Sequence, residues 1–216
     1  MLKLKFISPS WDQVYSQSIT LATELKAAGK QNFDVLIGVS RGGLALTRIM
    51  SDLLDIQNVM ITRCEYYTDL GQVKTHPEIT QKLQGNITGK NVLLLDDVAD
   101  SGESLLEIKK YILSKKSKTL TIATLYVKPW TKFYPDFYVA RTDAWIIFPW
   151  ELYEAIKSIA VKHGMEKLHQ TGIPQKYLKR IMNIHSDSLR GARSNSKMPA
   201  KNAHLFQKTI EKRAFG

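Results

Sequence analysis

Apolar residues recur along the chain in two kinds of pattern, short unbroken runs and helical stripes. Asp34–Val39 (DVLIGV) is a continuous apolar run rich in β-branched residues, and Val59–Thr62, Val92–Leu95 and Leu120–Val127 are further short, mainly apolar runs. Their length and composition predict buried strands. Ser10 followed three residues later by Gln13 is a capping-box signal, predicting a helix that runs to about Ala28 and stops at Gly29. Leu44–Leu54 and Glu103–Leu113 carry helical periodicity, and Phe137–Ala140 and Trp145–Phe148 predict two further short strands. Strands alternating with helices predict an α/β fold built on a doubly wound, mostly parallel sheet.

The periodicity fails between Tyr66 and Lys90. Polar residues together with Gly71, Pro77, Gly85 and Gly89 predict a long loop there, of a length usually tied to function. After Trp150 the pattern becomes helical. Glu151–Val161 places Leu152, Ala155, Ile156 and Ile159 on one face, and Ile173–Ile184 and Ala203–Ala214 predict two more helices. Residues 186–202, rich in Ser, Asn, Arg and Lys, predict a connector. The expected organisation is an α/β domain over residues 1–150, followed by a C-terminal helical appendage of three helices over residues 151–216.

Composition narrows the class without naming an activity. The 216 residues are 44% hydrophobic and 24% charged, enough for one substantial core, which excludes collagen-like, disulfide-scaffold and wholly disordered chains. No apolar run approaches the roughly 20 residues of a membrane-spanning helix. The first residues lack the long apolar stretch of a secretory signal, and Cys64 is the single cysteine, so a reducing cytoplasm is expected. The net charge of +11 is uneven: residues 1–151 carry +2 and residues 152–216 carry +9. A basic end of this kind suits nucleic acid, an acidic membrane, a phosphorylated ligand, or simply a solvated surface. His163, His169, His185 and His204 lack metal-ligand spacing.

The chemistry concentrates in Val92–Leu105, VLLLDDVADSGESL. A buried strand is expected to deliver Asp96 and Asp97 at its carboxyl end, where open α/β sheets bind ligands. A short turn then supplies Asp100, Ser101, Gly102, Glu103 and Ser104 at the start of a helix. Backbone N–H groups there, with the Ser101 and Ser104 hydroxyls, form an anion cradle for a phosphate. Two carboxylates beside that cradle suit a sugar phosphate, by accepting hydrogen bonds from a diol and helping to hold magnesium.

This segment resembles the phosphoribosyl pyrophosphate (PRPP) signature of type I phosphoribosyltransferases, and the resemblance covers about residues 10–151. It implies that Asp96, Asp97, Val98, Ala99, Asp100, Ser101, Gly102, Glu103 and Ser104 hold the ribose and 5-phosphate. Gly38–Gly43 (GVSRGG) resembles the family's pyrophosphate loop, which implies that Ser40, Arg41, Gly42 and Gly43 meet pyrophosphate; the family's peptide there is often cis, and the matching bond is Ser40–Arg41. The polar excursion after Cys64 resembles the family's mobile loop, with Tyr67, or nearly as well Tyr66, matching its tyrosine. Lys128-Pro129-Trp130 and Trp145–Glu151 resemble the base-binding segments of 6-oxopurine phosphoribosyltransferases. The resemblance gives Lys128 to the purine 6-position, Trp145 to stacking, the Ile146 backbone to the base edge, and Asp100 to the proton on purine N7. Asp100 and Tyr67 are thus the expected catalytic residues. Glu151 stands where the family carries an aspartate near magnesium or pyrophosphate, beside Asp96 and Asp97 as metal candidates, direct or through water.

The chain as a whole resembles an archaeal group of adenine phosphoribosyltransferases built on the 6-oxopurine scaffold. The expected activity is therefore purine salvage: adenine and PRPP giving AMP and pyrophosphate, with magnesium, in a cytoplasmic homodimer without membrane or nucleic-acid partners. Transfer to hypoxanthine, guanine or xanthine is the alternative, favoured by Lys128 and Asp100. A PRPP-sensing regulator that binds nucleic acid is a third reading, kept by the basic end.

Overall fold

The computed structural model describes residues 4–69 and 72–184, with side chains at all but 67–69 and 72–75. The described chain falls into two compact units, residues 14–142 and residues 4–13 with 143–184.

The larger unit is organised around β2 (Val35–Val39) and β5 (Asn91–Ala99). All five residues of β2 are buried, as a strand covered on both faces requires. The six-stranded sheet has the order β4-β3-β2-β5-β6-β7, with β3 (Val59–Asp69), β4 (Gln72–Gln81), β6 (Thr119–Val127) and β7 (Phe137–Arg141). Every pairing is parallel except β3 with β4. The expected doubly wound, mostly parallel sheet is present.

The pleat sends alternate residues to opposite faces. Val35, Ile37 and Val39 join Val92 and Leu94 in one core cluster with Leu105, Ile108 and Ile112 of α3 (Glu103–Ser114). On the other face, α2 (Gly43–Leu53) packs against β2 and β5. There Gly38 lies against Thr47 so closely that an added Cβ would come within 2.6 Å of the Thr47 hydroxyl. Burial of each Leu, Ile or Val side chain in these layers stabilises the fold by about 1.5–3 kcal/mol.

The helix α1 (Trp11–Ala27) begins where the capping box predicts. The Gln13 N–H donates to the Ser10 hydroxyl at 3.2 Å and the Ser10 N–H to the Gln13 side chain at 2.8 Å. Gly29 follows at φ 70°.

The stretch from Tyr66 to Lys90 corrects the sequence expectation. Much of it is not a loop, because β3 and β4 form an antiparallel hairpin with register shifts near Cys64 and Tyr66. β4 is an edge strand, so it tolerates polar residues and Pro77, which hid it from a pattern search. Ile79 and Leu83 still pack against the central core.

In the smaller unit, β1 (Phe6–Ile7) pairs in parallel with β8 (Trp145–Ile146). Helices α4 (Leu152–His163) and α5 (Gln175–Ile184) flank a 3-10 helix, Met165–Gln170, that the sequence pattern does not reveal. Ile147, Ala155, Ile156, Ile159, Leu168, Ile173 and Leu178 form its core. The connector expected over 186–202 and the helix expected at Ala203–Ala214 lie outside the described residues, as do His185 and His204.

Candidate functional site

From β2 the chain passes to β3 on one side, and after the hairpin it returns to β5 on the other side of β2. The carboxyl ends of β2 and β5 therefore flank the point where strand order reverses, the usual ligand crevice of an open α/β sheet. Both expected phosphate-binding segments leave the sheet there.

At the end of β2, the Ser40 N–H donates to the Thr62 carbonyl at 2.8 Å and Arg41 is exposed. The Ser40–Arg41 peptide bond is cis. Gly42 and Gly43 then lead directly into α2. A Cβ on Gly42 would overlap the Asp97 carboxylate, and one on Gly43 would reach within 2.5 Å of the Leu95 carbonyl oxygen. Glycine is required here so that the turn can lie against the acidic end of β5.

β5 continues to Ala99, four residues beyond the expected run, because β6 carries on the ladder: Asp96 pairs with Thr124, Val98 with Tyr126 and Ala99 with Val127. Asp97 is only 7% exposed. Its N–H donates to the Asp96 carboxylate at 3.0 Å. Desolvation, and secondarily the Asp97 charge, hold the Asp96 carboxyl well above the usual carboxylate range, against hydrogen bonds from the Asp97 and Gly43 backbone. Val98 is half-buried, and Ala99 is buried in the core with its carbonyl accepting the Lys128 N–H at 2.9 Å.

The turn that follows is shaped by Gly102, at φ 80°. An added Cβ there would come within 2.7 Å of the Thr131 hydroxyl and 2.8 Å of the Phe133 nitrogen. The Glu103 N–H donates to the Ser101 hydroxyl at 3.3 Å, and Ser104 is half-buried. Glu103 occupies the first turn of α3, where a carboxylate is favoured by the helix dipole. It accepts from the Tyr66 hydroxyl and forms an ion pair with Lys132 at 3.0 Å. Burial first, then the bond to Glu103, pushes the Tyr66 phenol up to about 12. Tyr66 thus meets the cradle through Glu103, while the Tyr67 side chain lies outside the described part.

Lys128, at the end of β6, is a buried lysine, 5% exposed. Its ammonium lies 5.4 Å from the centre of the Trp130 ring, and the Trp130 indole N–H donates to the Asp100 carboxylate at 2.7 Å. The sequence pattern places Trp130 in a base-binding segment without a role of its own and gives Lys132 none. The only available signal was the Lys-Pro-Trp-Thr-Lys run, whose partners lie about thirty residues earlier.

Trp145, Ile146 and Glu151 belong to the smaller unit. Trp145 packs at a tilt on Phe6, with ring centres 6.1 Å apart, and Ile146 is buried. Glu151 accepts the Phe148 N–H at 3.2 Å, and Trp150 stacks on Phe148 with centres 4.7 Å apart.

The donor set at Asp96 and Asp97 fits a magnesium ion. Adjacent carboxylates whose charges oppose each other are relieved by a divalent cation. Among the described residues no group of three or more His, Cys, Asp or Glu could hold a metal. Two carboxylates completed by phosphate and water oxygens is the usual magnesium arrangement. No described helix is long and apolar enough to cross a membrane.

Comparison with known proteins agrees with this geometry. The model of the phosphoribosyl transferase domain matches residues 10–157. A xanthine-guanine phosphoribosyltransferase of Cereibacter sphaeroides is 32% identical over 149 residues, covering 66% of this chain and 85% of that protein. One from Desulfotalea psychrophila is 33% identical over 144 residues, covering 66% of this chain and 84% of its own length. Among solved structures, a purine phosphoribosyltransferase of Pyrococcus horikoshii is 35% identical with a TM-score of 0.61, covering 68% of this chain and 94% of that one. A xanthine-guanine-hypoxanthine phosphoribosyltransferase of Helicobacter pylori is 25% identical with a TM-score of 0.59, covering 70% and 97%. These names overturn the expectation of adenine and favour the 6-oxopurine alternative. The adenine expectation leaned on the C-terminal third, most of which the family match does not reach.

Proposed function

Because the chain belongs to the phosphoribosyl transferase domain family, we propose that it is a 6-oxopurine phosphoribosyltransferase. Its reaction joins a ring nitrogen of xanthine, guanine or hypoxanthine to the anomeric carbon of PRPP and releases pyrophosphate. The observation that carries this reading is the buried Lys128 ammonium at the end of β6, on the same indole as Asp100. An ammonium only donates hydrogen bonds, so it matches an oxo oxygen and is mismatched to the amino group of adenine.

The chain's own residues supply the remaining needs of such a transfer. The Ser40–Gly43 turn binds the pyrophosphate of PRPP through its backbone and Arg41. Asp96 and Asp97 take the ribose diol, and the Asp100–Ser104 turn holds the 5-phosphate at the start of α3. As the base nitrogen attacks, the bond to pyrophosphate breaks and the N7 proton of the purine passes to Asp100. Tyr66 and the β3–β4 hairpin shield the centre, which keeps water from intercepting the cationic sugar. Trp145 and the Ile146 backbone are assigned to the base on the family resemblance. Asp96 and Asp97 would hold magnesium, which would neutralise developing charge on pyrophosphate.

Incubation with PRPP, magnesium and each 6-oxopurine in turn tests the reading. Ultraviolet spectra of the matching nucleoside monophosphate are expected. Absence of nucleotide from all three bases overturns it.

A further inference from the structure

β5 and β6 run parallel, with Ala99 opposite Val127. The chain leaving each strand therefore continues beside the other: the Lys128 N–H donates to Ala99, and the Lys132 N–H to Ser101 at 2.9 Å. Gly102 lets the segment 131–133 close against this turn. Trp130 sits at the centre of the seam. Its indole N–H is spent on Asp100 and its ring face on Lys128, although the residue is 39% exposed.

A tryptophan half in solvent, with both its polar edge and its face engaged by charged side chains, is not explained by packing. Its N–H fixes one carboxylate oxygen of Asp100 and thereby the direction in which the other points. The ring quadrupole attracts the Lys128 ammonium, an interaction strengthened when the cation is shielded from water. A 6-oxopurine presents O6 and N7 on one edge. Reading that edge needs one donor and one proton acceptor at a set separation.

We propose that Trp130 is a positioning residue that holds Asp100 and Lys128 as one matched pair facing the O6/N7 edge of the purine. The inference rests on the 6-oxopurine reading above and goes beyond it by assigning the residue that sets the pair. Trp130 itself exchanges no proton and forms no bond to substrate.

Trp130→Phe keeps the ring and removes the N–H, so it tests the link to Asp100 alone. A hydrogen bond to a charged group supports a loss of about tenfold or more in kcat, with the KM for PRPP unchanged. Trp130→Leu removes the ring as well and is expected also to raise the KM for the base. The decisive comparison places Trp130→Phe on an Asp100→Asn background. If Trp130 acts through Asp100, the second change costs nothing further. Thermal midpoints within about 3 °C of the parent are expected, since Trp130 is a surface residue. Full activity in Trp130→Phe, or losses that multiply in the double variant, overturn the inference while leaving the 6-oxopurine reading intact. If the unaltered protein turns over no 6-oxopurine, that reading falls and the inference with it.

Discussion

Gly42 lies against Asp97 so closely that a single methyl group at its α-carbon would overlap the carboxylate. The backbone there is ordinary right-handed helix (φ −57°, ψ −47°), so space, not conformation, demands the glycine. This contact welds the turn after β2 to the acidic end of β5. Gly42→Ala is expected to cost about 1–3 kcal/mol, the usual penalty for overpacking a filled site. It should also abolish PRPP binding by displacing Asp97. Denaturant unfolding reads the first effect, and calorimetry with PRPP and magnesium reads the second.

The Tyr66–Glu103 bond makes a prediction at alkaline pH. The folded phenol is pushed up to about 12 from an ordinary 10.0, by burial first and the carboxylate second. The folded state thus holds this proton more tightly than the unfolded chain does. The stability it contributes is complete below pH 10 and is lost as pH rises from about 10 to about 12. Tyr66→Phe should remove that part of the alkaline slope. An unchanged slope of stability against pH in this variant would contradict the contact.

Cys64 should be inert. Desolvation first, then the negative charge of Glu107, pushes its thiol up to about 12. The thiolate is the reactive species, so alkylation of the folded protein at pH 8 should run about two to three orders of magnitude slower than in denaturant. Rates near the denatured value would show an accessible, ionised thiol instead.

Parts of this molecule can be read from its sequence because their causes are local. The fully apolar run at Val35–Val39, the Ser10–Gln13 capping box and the turn from Asp100 to Ser104 each carry their own signal within a few residues. The extension of β5 from Leu95 to Ala99 carries none, because it depends on β6 continuing alongside. The hairpin of β3 and β4 is hidden for a different reason: an edge strand needs only one apolar face, and Pro77 suits an edge. Two paired residues at Phe6–Ile7 are too few to show a period. The Trp130–Asp100 and Lys132–Glu103 contacts join residues about thirty positions apart, so only the register of two parallel strands creates them.

Lys128 is the residue on which base choice turns. Lys128→Met keeps much of the volume and the apolar stem while deleting the donor. It should raise the KM for 6-oxopurines, with kcat/KM falling by about 10- to 100-fold, the scale of one charged hydrogen bond lost in a dry site. The KM for PRPP should not move. A variant as selective as the parent would place the base elsewhere.

The central claim is tested most directly by competition. Limiting PRPP is offered, with magnesium, to an equimolar mixture of adenine, hypoxanthine, guanine and xanthine, and the nucleotides formed are separated and counted. Product ratios report relative kcat/KM without further assumptions. The account predicts that the 6-oxopurine nucleotides take nearly all of the PRPP; AMP as the dominant product would contradict it.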